Sequence, residues 1–304
     1  MRQLIHLIKR NVLVYTRNRS NVFFSLFTML IIIILMTVFL GKNTTDSIVE
    51  ALSQVDPSRD VSIDRINANL YVLHWMVAGI VLVNSVTVSL SVVGIMIEDI
   101  ENNKLNSMFV APVKRGKLVL SYVLAGFLVS FLMCVLTVGI AELILVLQGS
   151  KLLSAMIMMK IIGVLVIMVF TGASFSFLCV LVANSSSTFA TISSLVSTLI
   201  GFLAAIYIPI GGLPKGIANV LKYLPTLAGS SLLRELFTTE VGKSLFEGTP
   251  SEVSLEVNRI FGTSLYYGET VASFAIRLFI LGISGIIFLT LAILIMRKKH
   301  IMDR

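Results

Sequence analysis

Apolar residues arrive in six long runs, at 22–40, 70–96, 118–147, 156–183, 189–209 and 271–296, separated by polar connections. Each run matches the ~20 residues that cross a bilayer's hydrocarbon core, so the pattern predicts an all-α polytopic membrane protein with six transmembrane helices. Ahead of the first run the periodicity changes. Leu4, Ile5, Ile8, Val12 and Tyr15 fall on one side of a helical wheel, with Arg2, His6, Lys9, Arg10 and Arg17 opposite. That separation predicts an amphipathic helix over 1–21 lying in the membrane interface, the plainer alternative being a basic topogenic tail. The run at 22–40 is too long for a secretory signal and lacks a small-residue cleavage site, so it reads as a retained span. With no fixed repeat and no Pro-rich linker, 1–304 is expected to be a single transmembrane domain.

Composition supports this frame. The chain is 56% hydrophobic and 13% charged, against roughly 25% charged in soluble domains. The net charge of +8 would suggest nucleic acid in a soluble protein, but here Lys and Arg cluster beside the apolar runs. The connections 1–21, 97–117, 184–188 and 297–304 hold 13 of them in 55 residues, against nine in 97 for 41–69, 148–155 and 211–270. The positive-inside bias therefore predicts both termini in the cytoplasm, with Arg297, Lys298 and Lys299 as an anchor in a cell membrane. Tyr71, Trp75, Tyr207, Tyr266 and Tyr267 fall at the predicted outer interface, and Lys160 and Arg277 near outer helix ends read as snorkelling side chains. Cys134 and Cys179 lie inside apolar runs and read as small hydrophobic residues.

The search for chemistry finds little. Gly242-Lys243-Ser244 resembles the end of a phosphate-cradling loop, but the required first glycine would fall at Phe237. His6, His74 and His300 are too scattered for a metal cluster or relay, and no nucleophile elbow or paired-histidine zinc motif is present. No catalytic residue, metal site or bound cofactor is expected. Glu142 is the one acid placed inside a span, where it reads either as a substrate or proton contact or as a group hydrated near the outer surface. Asn84, Thr87, Ser91 and Gly94 form one polar stripe, and Ser193, Ser194, Ser197 and Gly201 another. Helix packing and a pathway or dimer interface both explain such stripes. Thr171 to Ser174 and the pair Gly282 and Gly285 are assigned to packing.

The connection between the second and third runs carries Glu98-Asp99-Ile100-Glu101, then Leu105, Met108 and Phe109, then Pro112-Val113-Lys114-Arg115. It resembles the coupling loop of the permease subunits of type 2 ABC exporters, with Glu98, Glu101, Leu105, Pro112 and Val113 at matching positions. Asn103 and Asn106 stand where that family often has glycine and glutamate. Leu105, Met108 and Phe109 are spaced to make one apolar knob on a short helix that Pro112 ends. The series Pro209, Pro214, Pro225 and Arg234 resembles that family's outer helical hairpin. The resemblance implies a cytoplasmic coupling helix at 97–117 docking in the ATPase and a re-entrant hairpin within the outer loop 210–270. It implies two separate ABC ATPase subunits that bind ATP and Mg, and a second permease copy or homologue. The expected cargo is an amphipathic small molecule, lipid or peptide of drug, antibiotic or toxin type, as in multidrug resistance. The sequence from about 235 to 270, with Glu235, Glu240, Glu247, Glu252 and Glu256, has no counterpart in that resemblance. The competing class is an ATP-independent carrier using Glu142, or an intramembrane enzyme using the polar stripes.

Overall fold

A computed structural model describes residues 2–35, 41–104, 115–268 and 270–298. The chain folds around one central helix, α4 (Val61–Val93), which continues across Gly94 into α5 (Ile95–Glu101). A Cβ at Gly94 would lie 2.5 Å from the Phe189 ring, so this position admits glycine alone without displacing the neighbouring helix. Asp60 caps the start of α4 by accepting the backbone N–H groups of Ser62 and Ile63.

Before it come α1 (Arg2–Arg17), α2 (Arg19–Leu35) and α3 (Gly41–Val55); after it come α6 (Arg115–Leu147), α7 (Ala155–Val182) and α8 (Ser186–Leu203). A 3-10 turn at Ile210–Gly212, α9 (Lys215–Leu221), α10 (Pro225–Leu245) and α11 (Ser251–Ile260) build the segment that the sequence reading places outside. A two-residue antiparallel pair, β1 (Tyr266–Tyr267) with β2 (Thr270–Val271), precedes α12 (Phe274–Lys298).

Among the described residues, five helices are long and apolar enough to cross a bilayer: the continuous α4–α5, α6, α7, α8 and α12. α2 is apolar but reaches only Leu35 within the described residues. Its sequence has no polar face because lipid and neighbouring helices are equally apolar surroundings. The second run extends further than its apolar stretch, since α4 begins at Val61 rather than at 70. The fifth ends at Leu203 rather than at 209.

The segment 41–69, read from sequence only as an outer connection, contains α3. Thr45, Ile48, Val49 and Leu52 recur at helical spacing and are its buried residues, packed against α4. Arg59 then pairs with Asp64 at 2.7 Å and donates to the carbonyls of Leu245 and Glu247 at 3.2 and 2.9 Å. The Asp64 carboxylate holds the Arg59 guanidinium above its ordinary range. A cation at the C-terminal carbonyls of α10 is the favourable end of that helix dipole.

Burial is uneven. The most apolar stretch of α4–α5 is 89% buried, against 17% for α12 and 11% for α8. α4 is therefore the core, while α8 and α12 present exposed Leu195, Leu199, Phe279, Ile286 and Leu294 outward. In water such a surface would drive association; in hydrocarbon it is the solvent-facing side.

Candidate functional site

The α5 end of the central helix, the inner end in the topology that the charge bias predicts, is where several elements meet. Asp99, on the buried face of α5 with Ile95 and Met96, is 1% exposed. Its carboxylate accepts both terminal nitrogens of the Arg10 guanidinium, one at 2.5 Å, and the Tyr122 hydroxyl at 2.6 Å. Arg10 also donates to the Asn11 side chain at 3.0 Å. α1 and α6 are thus both tied to α5 through one carboxylate. The same pair holds the Arg10 guanidinium above its ordinary range, the hydrogen bond to Asp99 outweighing partial burial.

Two residues on, Glu101 accepts the Ser186 backbone N–H at 2.7 Å and the Ser186 hydroxyl at 2.5 Å. A carboxylate here complements the positive N-terminal end of α8. Ser185 completes the cap by accepting the N–H of Thr188 at 3.2 Å.

Of the predicted acidic pair, Glu101 is engaged and the Glu98 side chain is exposed. Asp99 escaped the sequence reading. Its signal was its position, since it sits four and three residues after Ile95 and Met96 and so shares their buried face. Leu105, Met108, Phe109, Pro112 and Val113 lie outside the described residues.

The polar stripe of α4 divides. Asn84 donates to the Thr137 hydroxyl of α6 at 2.8 Å, and below it Ser89 meets Ser130 at 2.9 Å, so these residues seam α4 to α6. Thr87 and Ser91 donate to their own helix, at Val83 and Thr87 carbonyls, and Ser91 is exposed. On α8, Ser194 is exposed, Ser193 and Ser197 are half-buried, and the Ser193 hydroxyl has no partner among the described residues. α8 touches α4 at Gly94 through Phe189, and the chain just past its end touches Gly79 through Ile206. Gly285 of α12 packs onto Thr171, whose hydroxyl donates across to the Leu281 carbonyl at 2.9 Å.

Glu142 is 5% exposed on α6. One carboxylate oxygen accepts the Leu153 N–H at 3.4 Å, and the other is buried with no partner among the described residues.

At the opposite end, the outer one in the predicted topology, the backbone of α8 stops inside the protein. Beyond Leu203, Ala205 adopts φ 53° and the helix unwinds, leaving carbonyl groups that a dry interior cannot hydrate. Arg234, 0% exposed on α10, answers them by donating to Ala204 O at 3.0 Å and Ala205 O at 2.8 Å, with a further bond to Phe261 O at 3.3 Å. Its guanidinium lies 4.6 Å from the Trp75 ring centroid, and the Trp75 indole donates to the same Phe261 carbonyl at 2.7 Å. Thr226 and Ser230 add bonds to Leu203 O and Ala204 O. Arg277 corrects the snorkelling expectation: it is 3% exposed and bonds the Ser231 hydroxyl at 2.6 Å, Thr263 O at 3.1 Å and the Glu235 carboxylate. The physical reason is that α10 and the loop after α11 supply acceptors inside the protein, nearer than the headgroups.

The prolines mark where elements begin. Pro209 precedes the 3-10 turn, Pro214 precedes α9, and Pro225 is the first residue of α10, positions that need no backbone donor. Thr226 returns to the level of Leu203, and Gly229 packs near Leu82, Met168 and Leu281. From there α10 climbs until Gly242 sits 3.6 Å from the Tyr71 ring. Eleven residues of α4 separate Leu82 from Tyr71, about 16 Å of helix. Beneath the start of α10 lies an apolar cavity of about 240 Å³ lined by Ser85, Thr171, Leu199, Leu203, Pro225 and Phe288 among others, and by none of the stripe residues.

The family model described as ABC-2 family transporter protein matches residues 40–294, from before α3 to near the end of α12. A comparison with curated proteins finds no match.

Proposed function

This chain belongs to the ABC-2 transporter family as a multi-pass permease subunit that partners ABC ATPase subunits, and on that premise we propose that it exports an amphipathic small molecule, lipid or peptide. In this reading α2 is the first of six spans, both termini face the cytoplasm, and two permeases face each other beside two ATPases. ATP and Mg belong to the ATPases, and the permease contributes no catalytic residue. The exposed flank of α8, with Ser194 and beside Ser91 of α4, is the face turned to the second permease. The helical hairpin of α9 and α10 closes the pathway from outside.

The observation that carries the proposal is the inner end of α4–α5. Asp99 binds α1 through Arg10 and α6 through Tyr122, and Glu101 binds the start of α8, just before the 105–114 segment. A push delivered to that segment is passed to four helices by hydrogen bonds that act over no more than one turn of helix. Closure of the ATPases would so tilt α4 against α8 and alternate the access of the pathway.

The test is co-purification of the tagged chain with its ATPase, comparing wild type with Leu105→Asp plus Phe109→Asp. Loss of the complex, with normal insertion, is expected. A complex that survives the double change would place docking elsewhere. The unpartnered Glu142 oxygen favours one second reading, an ATP-independent carrier. Transport by vesicles lacking the ATPase would establish that reading and sink the exporter.

A further inference from the structure

The outer segment encloses a second, larger recess that the coupling argument does not use. It has a volume of about 840 Å³ and is lined by α9, α11 and Tyr266–Gly268. Its wall carries Lys215, Lys222 and Arg259 and, among the described residues, the carboxylate of Glu256. That carboxylate stands 3.9 Å from the nearest Arg259 nitrogen, with both side chains more than half exposed, so it neutralises the cations weakly. The described contact of the Lys222 ammonium is a long one, 3.4 Å to the Asn219 side chain.

The recess is held open by built features. Tyr267 donates its hydroxyl to the Lys222 carbonyl at 2.7 Å, tying the β-turn to the end of α9. The Arg259 guanidinium rests 5.1 Å from the Tyr266 ring centroid, which fixes its direction. The 3-10 turn presses so close to α11 that a Cβ at Gly211 would come within 2.9 Å of the Ile260 backbone. The floor is apolar, with Ile210, Leu213 and Leu265.

Cations and apolar side chains lining one recess match a molecule with a phosphate at one end and hydrocarbon at the other. We infer that this recess binds the phosphate group of an amphipathic molecule on the outer side of the membrane, with Lys222 and Arg259 as its principal contacts. The inference stands apart from ATPase coupling and from the direction of transport. A lipid headgroup and free phosphate share the recognised chemistry, and the apolar floor favours the former.

The test uses the full-length chain in phosphatidylcholine nanodiscs, titrated with dioctanoyl phosphatidylglycerol, dioctanoylglycerol and inorganic phosphate. Binding is read by isothermal titration and by fluorescence of Trp75, the only tryptophan, which packs edge-on against Phe261 beside the recess. The expected result is saturable phosphatidylglycerol binding that weakens tenfold or more in Lys222→Gln plus Arg259→Gln. Lys243→Gln, on α10 and away from the recess, should leave it unchanged. Both replaced side chains are at the surface or half-buried, and an unaltered melting temperature verifies folding. Inorganic phosphate binding with the same sensitivity would support the anion site and assign it a soluble ligand. Equal binding of uncharged dioctanoylglycerol, unchanged affinity in the double variant, or no binding of either phosphate compound would overturn the inference.

Discussion

The two ends of the bundle around the central helix are held by opposite chemistry. At the inner end acids on α5 reach out to separate helices: Asp99 to Arg10 and Tyr122, Glu101 to Ser186. At the outer end arginines on neighbouring helices reach in to carbonyl oxygens, Arg234 to Ala204, Ala205 and Phe261, and Arg277 to Thr263. Arg10 keeps 28% of its side chain exposed and Glu101 is exposed, whereas Arg234 and Arg277 are 0% and 3% exposed. Groups that already reach water, here Arg10 and Glu101 though not the buried Asp99, can exchange a partner for solvent; donors to carbonyls in a dry interior cannot. The inner end is therefore suited to follow a partner, and the outer end to stay fixed while it does.

Breaking the outer end should have the larger effect. Arg234→Met strips the guanidinium from three carbonyls, leaving that of Ala205 without a described donor while Ser230 and Trp75 still reach those of Ala204 and Phe261, and should cost about 3 kcal/mol, seen as a lower melting temperature in detergent. Arg234→Lys should restore little of it, because an ammonium cannot span the same acceptors as a planar guanidinium. An unchanged melting temperature in Arg234→Met would show that the unwound end of α8 is held by other groups.

Next in size, Arg277→Leu should cost about 2 kcal/mol, since Ser231 and the Thr263 carbonyl lose a charged partner while Glu235 is exposed enough to hydrate. The snorkelling alternative expects almost no change, so the same melting measurement separates the two.

At the inner end Asp99→Asn should cost about 1–2 kcal/mol, because the buried Tyr122 hydroxyl and Arg10 lose a charged acceptor while the amide keeps one oxygen and the part-exposed Arg10 regains water. Its larger consequence is functional: stimulation of the ATPase by cargo should fall several-fold while the complex still co-purifies. Loss of the complex would instead make Asp99 part of the docking surface.

Smallest of all, Glu101→Gln should leave the melting temperature nearly in place. Raising salt should mimic it in wild type by weakening the exposed inner contacts without touching the outer ones. If salt weakened both ends alike, the distinction between them would fail.

Much of this was legible beforehand. The long apolar runs show the spans because a backbone in hydrocarbon must form helices of bilayer length. The prolines at 209, 214 and 225 mark element starts, since each lacks a donor that those positions do not need. Other features were not legible. Glu98 and Glu101 stood at positions matching the coupling-loop resemblance, and that resemblance did not say that Asp99 would be the buried one until Arg10 and Tyr122 were placed around it. Arg277 looked like a snorkelling residue because its sequence neighbours are apolar and its partners are 14, 42 and 46 residues away.

The sequence by itself determined which stretches are long and apolar enough to cross a membrane and which connections carry the charge, because hydropathy acts over a single span. Only the tertiary structure decided which charges are paired, where α8 stops and what answers its open carbonyls. Those outcomes depend on groups far apart in the chain, and a buried donor chooses among acceptors by distance in space.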